Sequence, residues 1–335
     1  MAGLLTVLLN WRSAEMTLRA AESALVALEG LAGALVIVDN DSGDESFETM
    51  AAEVRKRGWD QGPQAVRVLQ SGHNGGFGAG NNFGIRAGMP DGSAPDFVYI
   101  LNSDAFPEPG AIRALLQHLQ THPATGFAGS FIYGDDGAPH RTAFRFPSIA
   151  SEFEGQIRFG PVSRMLNCWI VAQPIPQATR RVDWLAGASL MMRRAVLDQI
   201  GLFDERFFLY FEETDLCRRA ALAGWPTDYV VESRVMHIGS VSTGMRQWSR
   251  IPQFWLDSRL HYLVKNHGVA YAIAATLALI CGGILWRARL LIQRKDRGDP
   301  PLYLTDLTLH ALRAVLNSVR GRPAAFAKSP RGTRG

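Results

Sequence analysis

Tyr99-Ile100-Leu101-Asn102-Ser103-Asp104 is the stretch on which the fold turns. Its apolar lead-in from Phe97 to Leu101 predicts a short buried strand, and the run breaks into Asn102-Ser103-Asp104 before Pro107 and Pro109 open a new element. A carboxylate therefore stands at the C-terminal end of a strand. In open α/β sheets that edge is where ligands bind, and an acid with polar neighbours there suits a divalent cation, Mg²⁺ or Mn²⁺, holding phosphate oxygens. A plain turn with an aspartate cap is the alternative.

The chain before Asp104 supplies the sheet. Gly3 to Leu9 is an apolar run ending at Asn10. Ser13 can cap a helix whose Met16, Ala20, Ala24 and Leu28 share one face. Ala34 to Val38 delivers Asp39-Asn40, Asp41-Ser42-Gly43-Asp44 turns into a helix through Met50 and Val54, and Ala65 to Leu69 is a third strand. Strand and helix alternate three times. This predicts a mostly parallel sheet with right-handed crossovers, with Asn10, Asp39, the loop after Leu69 and Asp104 along one edge.

His73 to Gly80 (HNGGFGAG) has four glycines and leads into Asn81-Asn82 and a helix reaching Met89. Glycine lets backbone approach a phosphate closely, and the helix start adds unpaired N–H donors. A dinucleotide fingerprint would instead follow the first strand and carry glycine at the position of Asn81, which argues against a hydride-transfer enzyme. A glycine-rich connection without ligand is the alternative.

Residues 133 to 182 show no sustained period and read as irregular. Trp184 to Met192 (WLAGASLMM) reads as one apolar strand in which Gly187 and Ala188 leave room for a sugar or acceptor. In Phe207 to Leu216 (FFLYFEETDL), Glu212, Glu213 and Asp215 follow an aromatic run at a helix start. Crowded acids beside apolar surface have raised pKa values, which suits a general base, whereas acids at a helix start also complement its dipole. A strand from Thr227 to Val231 precedes His237, a residue type that beside apolar neighbours is commonly structural.

At 335 residues, 47% hydrophobic and 20% charged, the chain has room for one large α/β domain and an appendage. The net charge of +4 is uneven. Residues 287–335 hold 11 Lys and Arg against 3 Asp and Glu, leaving 24 against 28 for residues 1–286. Without interleaved aromatics or a reading motif, that basic tail suits an anionic membrane surface and not nucleic acid. Cys168, Cys217 and Cys281 form no disulfide or zinc pattern, so a reducing compartment is expected, and Leu4 to Leu9 reads as a strand, not a signal peptide. Trp248 to His267 reads as a helix that offers Arg259, Tyr262 and Lys265 to the site. The 19 residues from Gly268 to Trp286 carry no charge, and at ~1.5 Å per residue fall just short of a ~30 Å hydrocarbon core. Arg287, Arg289, Arg294, Lys295 and Arg297 favour a cytoplasmic flank, yet so does the domain before the segment. Leu304 to Val319 predicts an amphipathic helix, with Leu304, Leu307, Ala311, Leu312, Val315 and Val319 facing away from Asp306, His310, Arg313, Asn317 and Arg320. The expectation is peripheral or monotopic attachment to the cytoplasmic face of the inner membrane; a helical lid or a homo-oligomer contact is the alternative.

In order, Asn10, Val38-Asp39-Asn40, the NGGFGAGNN loop, Leu101-Asn102-Ser103-Asp104, WLAGA, FEETDL and His237 resemble the family 2 inverting glycosyltransferases of the GT-A fold, rhamnosyltransferase-like members in particular, over about residues 3 to 265. The resemblance implies a catalytic domain over residues 1–245 and a helical, basic, membrane-associating region over 246–335. It implies that Asp39 holds base or ribose, with Asn10, Asn74, Gly76, Gly78, Asn81, Asn102 and Ser103 also on the nucleotide-sugar donor. Asp104 and His237 would serve a metal, Trp184, Gly187 and Glu212 a glycan or lipid-linked acceptor, and Glu213, with Asp215 beside it, catalysis. Two positions depart from the family pattern: Asn102 replaces the first acid of the D-x-D motif, and Glu213 replaces an Asp. A nucleotidyltransferase and a non-catalytic nucleotide-sugar-binding homologue are the rival readings.

Overall fold

The computed structural model describes residues 3–62, 64–239, 250–294, 300 and 302–319. The first elements alternate as the sequence predicts: β1 (Leu4–Asn10), α1 (Ala14–Leu28), β2 (Gly33–Asp39), α2 (Ser46–Lys56), β3 (Val66–Gln70), α3 (Gly76–Ala87) and β4 (Phe97–Asn102). Then come β5 (Ala105–Pro107), α4 (Ala111–Thr121), β6 (Phe127–Tyr133), β7 (Ala143–Phe144), α5 (Ile149–Ile157) and α6 (Gly160–Met165). After β8 (Arg180–Val182), β9 (Trp184–Leu185) and β10 (Ser189–Arg193) follow α7 (Arg194–Ile200), α8 (Glu212–Leu222) and β11 (Thr227–His237). The chain closes with α9 (Gln253–His267), α10 (Val269–Gln293) and α11 (Tyr303–Val319).

The main sheet runs β3-β2-β1-β4-β10-β6-β11-β5, with β8 also on β11. It is mixed. β3, β2, β1 and β4 are parallel, whereas β10 runs antiparallel between β4 and β6, and β5 runs antiparallel to β11. β2 is buried along its whole length, as a parallel strand covered on both faces must be, which is why it reads as a continuous apolar run. Register then sets the ligand edge: Asn10 stands opposite Asp39, and Leu9 opposite Asn102. At the other end β11 runs on to His237, past the Val231 end expected from sequence, and its pairing with β5 sets His237 opposite Ala105.

Three sequence expectations change. Helix α3 starts at Gly76, so Gly78 and Gly80 lie inside it and not in a loop, and it ends at Ala87, short of Met89. Gly80 and Gly84 let the helix settle on the sheet: a Cβ at Gly84 would stand 2.5 Å from Val7 Cγ1 and 3.0 Å from Val38 Cγ2, and one at Gly80 would overlap Leu9. Trp184 to Met192 is two short strands, with Gly187 and Ala188 in the turn between them. Residues 133–182 are ordered, carrying β7, α5, α6 and β8.

The chain divides into two units, residues 1–144, 173–208 and 212–244 forming the first and residues 145–172, 209–211 and 245–335 the second. The expected domain boundary at 245 falls outside the described residues, as do Trp248, Lys295, Arg297 and residues 320–335. Residues 145–172, by contrast, join the C-terminal helices. Within that second unit α10 lies so close to α5 that a Cβ at Gly282 would stand 2.7 Å from the Phe153 carbonyl oxygen. Arg259, expected near the site, is buried there in an ion pair with Glu152 (3.0 Å) and donates to Thr276 Oγ1 (3.2 Å), and Tyr262 is fully buried.

Gly84→Val should therefore lower stability by about 1–3 kcal/mol, the usual cost of overpacking, which for a domain of this size is a fall of several degrees in Tm. Thermal unfolding against Gly92→Val, whose Cβ meets no atom within 4 Å but whose φ is +79°, separates packing from backbone strain. An unchanged Tm for Gly84→Val would mean that α3 does not sit on β1 and β2 as described.

Candidate active site

At the C-terminal ends of β1 and β2, Asn10 and Asp39 are both buried and bonded to each other, Asn10 Nδ2 donating to Asp39 Oδ1 at 2.8 Å. Asp39 also accepts from the Ser42 hydroxyl (2.5 Å) and backbone N–H (3.1 Å), while Asn10 Oδ1 accepts from Thr17 Oγ1 (2.7 Å). These two residues shape the turn after β2 from inside. Asn40 Nδ2 donates to Asn74 Oδ1 (3.0 Å) and to the Gly76 carbonyl (3.2 Å), and Asn74 Oδ1 in turn accepts the Gly76 N–H (3.1 Å), so α3 is tied to the same edge. Gly76 has φ +88°, and a Cβ there would collide with the Phe208 carbonyl. Asn81 is buried and bonds back to the Phe77 carbonyl within α3 (3.0 Å), and Gly78 is buried too, so neither presents a side chain to a ligand. Exposed at this edge are Trp11, Arg12, Asp41 and His73. Arg12 lies over the Trp11 ring (5.1 Å) and is fixed by Ser42, whose hydroxyl accepts its N–H (2.9 Å) and whose carbonyl accepts Nε (2.8 Å). Sequence reasoning passed over this pair; the signal was its place directly after a strand end.

Asn102, Ser103, Asp104 and His237 form the second group. His237 Nε2 is 3.0 Å from Asp104 Oδ1 and 3.4 Å from Asn102 Nδ2, and the Ile238 N–H donates to the Asp104 carbonyl (3.1 Å). Ser103 is buried beside them. Burial pushes the Asp104 carboxyl up, but the His237 hydrogen bond and backbone N–H groups outweigh it and hold the acid below its usual range. Among the described residues no cluster of three or more His, Cys, Asp or Glu could hold a metal by itself. The pair still fits a cation that takes its other ligands elsewhere. Asp104 would offer an oxygen and His237 a ring nitrogen, once the hydrogen bond between them is given up, to a cation that keeps only one or two protein ligands and otherwise binds substrate phosphates and water.

The third group opens α8. Glu213 is half-buried as a residue, yet its Oε2 is shut away from solvent with no partner. Burial raises its carboxyl to about 7, against a hydrogen bond from the Gly187 N–H that favours the ionised form. Glu212 is buried, its Oε2 is also unpartnered, and burial followed by the neighbouring Glu213 charge pushes its carboxyl well above the ordinary range. The expectation of raised acids thus holds for these two. Asp215 is fully buried and paired with Arg219 (2.8 Å). Arg219 in turn donates to the carbonyls of Ile200, Gly201 and Leu202, so through it Asp215 braces that turn. Trp184 is half-buried and stacks on Phe144 (4.2 Å), while Gly187 offers its backbone to Glu213.

A family model described as glycosyltransferase like family 2 matches residues 4–251. Over 190 residues the chain is 35% identical to N-acetylglucosaminyl-diphospho-decaprenol L-rhamnosyltransferase of Mycobacterium tuberculosis, a match covering 53% of this chain and 61% of that protein. The chain thus spans about three-fifths of the length of that relative. Rhamnosyltransferase WbbL of Escherichia coli is 25% identical over 195 residues, 57% of this chain and 71% of WbbL. Among solved structures, the mannosyltransferase PcManGT from Pyrobaculum calidifontis, in complex with GDP-Man and Mn²⁺, superposes with a TM-score of 0.55 at 13% identity over 94% of this chain and 80% of that one. Residues 1–349 of TarS from S. aureus superpose with a TM-score of 0.53 at 13% identity over 95% and 81%. At these identities the two structures speak for the fold alone.

The dry carboxyl predicts a pH dependence of stability. Because the folded-state pKa of Glu213 is raised, the native state binds more protons than the unfolded one between the ordinary carboxyl range and about 7, and stability falls as pH rises through that window. Glu213→Gln removes this term. Urea unfolding should show the variant gaining on the wild type from about pH 5 to pH 8; a constant difference would show that Glu213 is solvated.

Proposed function

The chain belongs to the glycosyltransferase family 2-like proteins, and from that premise we propose that it transfers a sugar, rhamnose first among the candidates, from a nucleoside-diphosphate donor to a hydroxyl of a glycan or lipid-linked acceptor, with inversion. The fold is a GT-A-like mixed α/β sheet. The observation that carries the reading is Glu213: a carboxyl with one oxygen shut away and unpartnered, pushed by burial to about 7, at a helix start in the same unit as the Asp104–His237 pair. A module that only bound sugar nucleotide would gain nothing from it. A nucleotidyltransferase would need a basic phosphate-activating signature near Asn10, where the open cation is Arg12, tied to Ser42.

In the reaction Glu213 takes the proton of the acceptor hydroxyl, whose oxygen forms the new bond to the anomeric carbon as the bond to the diphosphate breaks. The leaving electron pair goes to the phosphate oxygen, and Glu213 later releases its proton to solvent. One displacement inverts the centre. Asp104 and His237 would hold a divalent cation, as the Mn²⁺ of PcManGT supports, and such an ion supplies charge neutralisation for the departing diphosphate. Asn102 in place of a second acid leaves that pair one charge short.

The membrane belongs to the same reading. Every exposed residue of α10 from Val269 to Ile292 is apolar, Ile273, Leu277, Ile284 and Leu291 among them, although the opposite face packs through Gly282 and Leu279. The helix is long and apolar enough to cross a membrane, and it runs on beyond the uncharged 268–286 segment past Arg287 and Arg289. In α11 Asp306 pairs with Arg250 and His310 with Asp257 (2.6 Å), Leu304 and Leu307 are buried, and Leu309, Leu312, Val315 and Leu316 are exposed alongside Arg313. Exposed apolar side chains along both helices, with Arg313 among those of α11, suit the interfacial plane of an anionic leaflet, where we place them. Cytoplasmic nucleotide sugar would then meet a lipid-linked acceptor there.

Glu213→Gln should lower transfer at least ~100-fold with donor binding intact, the low end for loss of a general base. Near-wild-type turnover, followed by release of nucleoside diphosphate from a panel of nucleotide sugars, would reassign the base. Asp104→Ala should abolish the Mn²⁺-dependent part of nucleoside-diphosphate binding and Asn102→Asp should strengthen it, as calorimetry can read; equal wild-type affinity with and without the ion would remove the metal. Full-length protein should float with anionic liposomes at low salt, and the Leu277→Asp/Leu312→Asp double variant should not; flotation of both would sink the membrane face.

A further inference from the structure

Asn82 takes no part in the ligand edge, yet it is fully buried and all its polar atoms are used. Its Oδ1 accepts the Phe203 N–H (3.1 Å), and its Nδ2 donates to the Phe203 carbonyl (2.9 Å) and to Glu205 Oε1 (2.9 Å). One side chain thus holds both backbone groups of a residue 121 positions away. Such a two-handed clasp on backbone, with no water needed to complete it, fixes Phe203 in place and orientation.

Phe203 leads to the base by a short route. Its side chain lies over the Gly78 position of α3, where a Cβ would stand 3.1 Å from Phe203 Cβ and 3.7 Å from Glu212 Cβ, so Phe203 and the start of α8 share one patch of α3. The Phe203 ring meets the Phe77 ring edge to face, with centroids 6.1 Å apart. The Phe77 ring in turn closes over Gly187, where a Cβ would stand 3.1 Å from Cζ. The Gly187 N–H is the donor to Glu213. From the other side Arg219, oriented by Asp215, grips the carbonyls of Ile200 and Leu202 at 2.6 and 2.7 Å, so the segment carrying Phe203 is anchored at two points.

We propose that Asn82 is a positioning residue for the base: its clasp on Phe203 sets, through Phe77 and the Gly187 turn, where the Glu213 carboxylate stands and how dry it is kept. The inference rests on Glu213 being the base. Loss of the clasp lets the Phe203–Phe77 pair relax, the Gly187 turn drifts, and water reaches Glu213. A solvated carboxylate is a weaker base.

The test compares pH–rate profiles of the full-length enzyme. Asn82→Ala should lower kcat about 10-fold or more, leave the donor KM within about 2-fold, and move the acid limb of kcat/KM downward by about one unit or more. Phe203→Leu, which keeps the backbone clasp but removes the ring edge, should shift the limb in the same direction and serves if Asn82→Ala does not fold. Glu205→Gln keeps an acceptor for Asn82 and should leave the limb in place. A limb unmoved in a folded Asn82→Ala or Phe203→Leu enzyme overturns the proposal, because a merely structural residue lowers the active fraction without changing the profile. Should Glu213→Gln itself turn over normally, the base assignment falls first, and that outcome is told apart by a wild-type acid limb that persists in it.

Discussion

A carboxyl kept dry at the start of α8 is the constraint around which the first unit is arranged. Glu213 and Glu212 sit side by side out of water with one oxygen each unpartnered, a costly arrangement that persists only where surrounding structure enforces it. The enforcement is visible. Gly187 presents an N–H, Phe77 covers Gly187, and Phe203 backs Phe77 under the grip of Asn82. In the second unit Tyr210 and Phe211 both adopt positive φ (70° and 71°), a region that bulky side chains avoid. Their rings are occupied, Tyr210 against Phe254 and Phe211 against Tyr262.

The donor edge follows a different logic. Strand register alone brings Asn10, Asp39 and Asn102 together, and the β5–β11 pairing adds His237 to Asp104. Polar groups at strand ends are spent first on each other, as in Asn10 with Asp39 and Asn40 with Asn74, so that the turn after β2 is rigid before any ligand arrives. What remains for recognition is backbone and the exposed Trp11, Arg12, Asp41 and His73. The sheet edge and the start of α8 differ in kind: one is pre-paired, the other holds an acid that burial keeps protonated further up the pH scale.

Much of this was legible in the chain. Buried parallel strands announce themselves as unbroken apolar runs, so β1, β2 and β4 and the polar residues at their ends could be placed from sequence. The glycines of residues 75–80 misled because glycine signals a loop and a close packing approach alike; only the neighbours, Leu9 at Gly80 and Phe203 at Gly78, decide between them. Asp215 and Arg259 could not be told from functional charges, since their partners Arg219 and Glu152 are fixed by tertiary contact. Helix α5 went unread for the same reason: it is short, and α10, the helix it packs against, lies more than a hundred residues away in sequence. The rise in the Glu213 pKa was expected from crowded acids beside apolar surface; burial is its cause, and the neighbouring charge adds to the rise only at Glu212.

The most direct measurement is a carbon-13 NMR titration of protein labelled at the glutamate carboxyls, with Glu213→Gln identifying the resonance. The account requires a carboxyl that titrates near about 7, well apart from the exposed glutamates. A Glu213 signal titrating near the ordinary ~4.3 would contradict it, because a solvated acid there is neither held dry by the Gly187 turn nor tuned to take a proton at neutral pH.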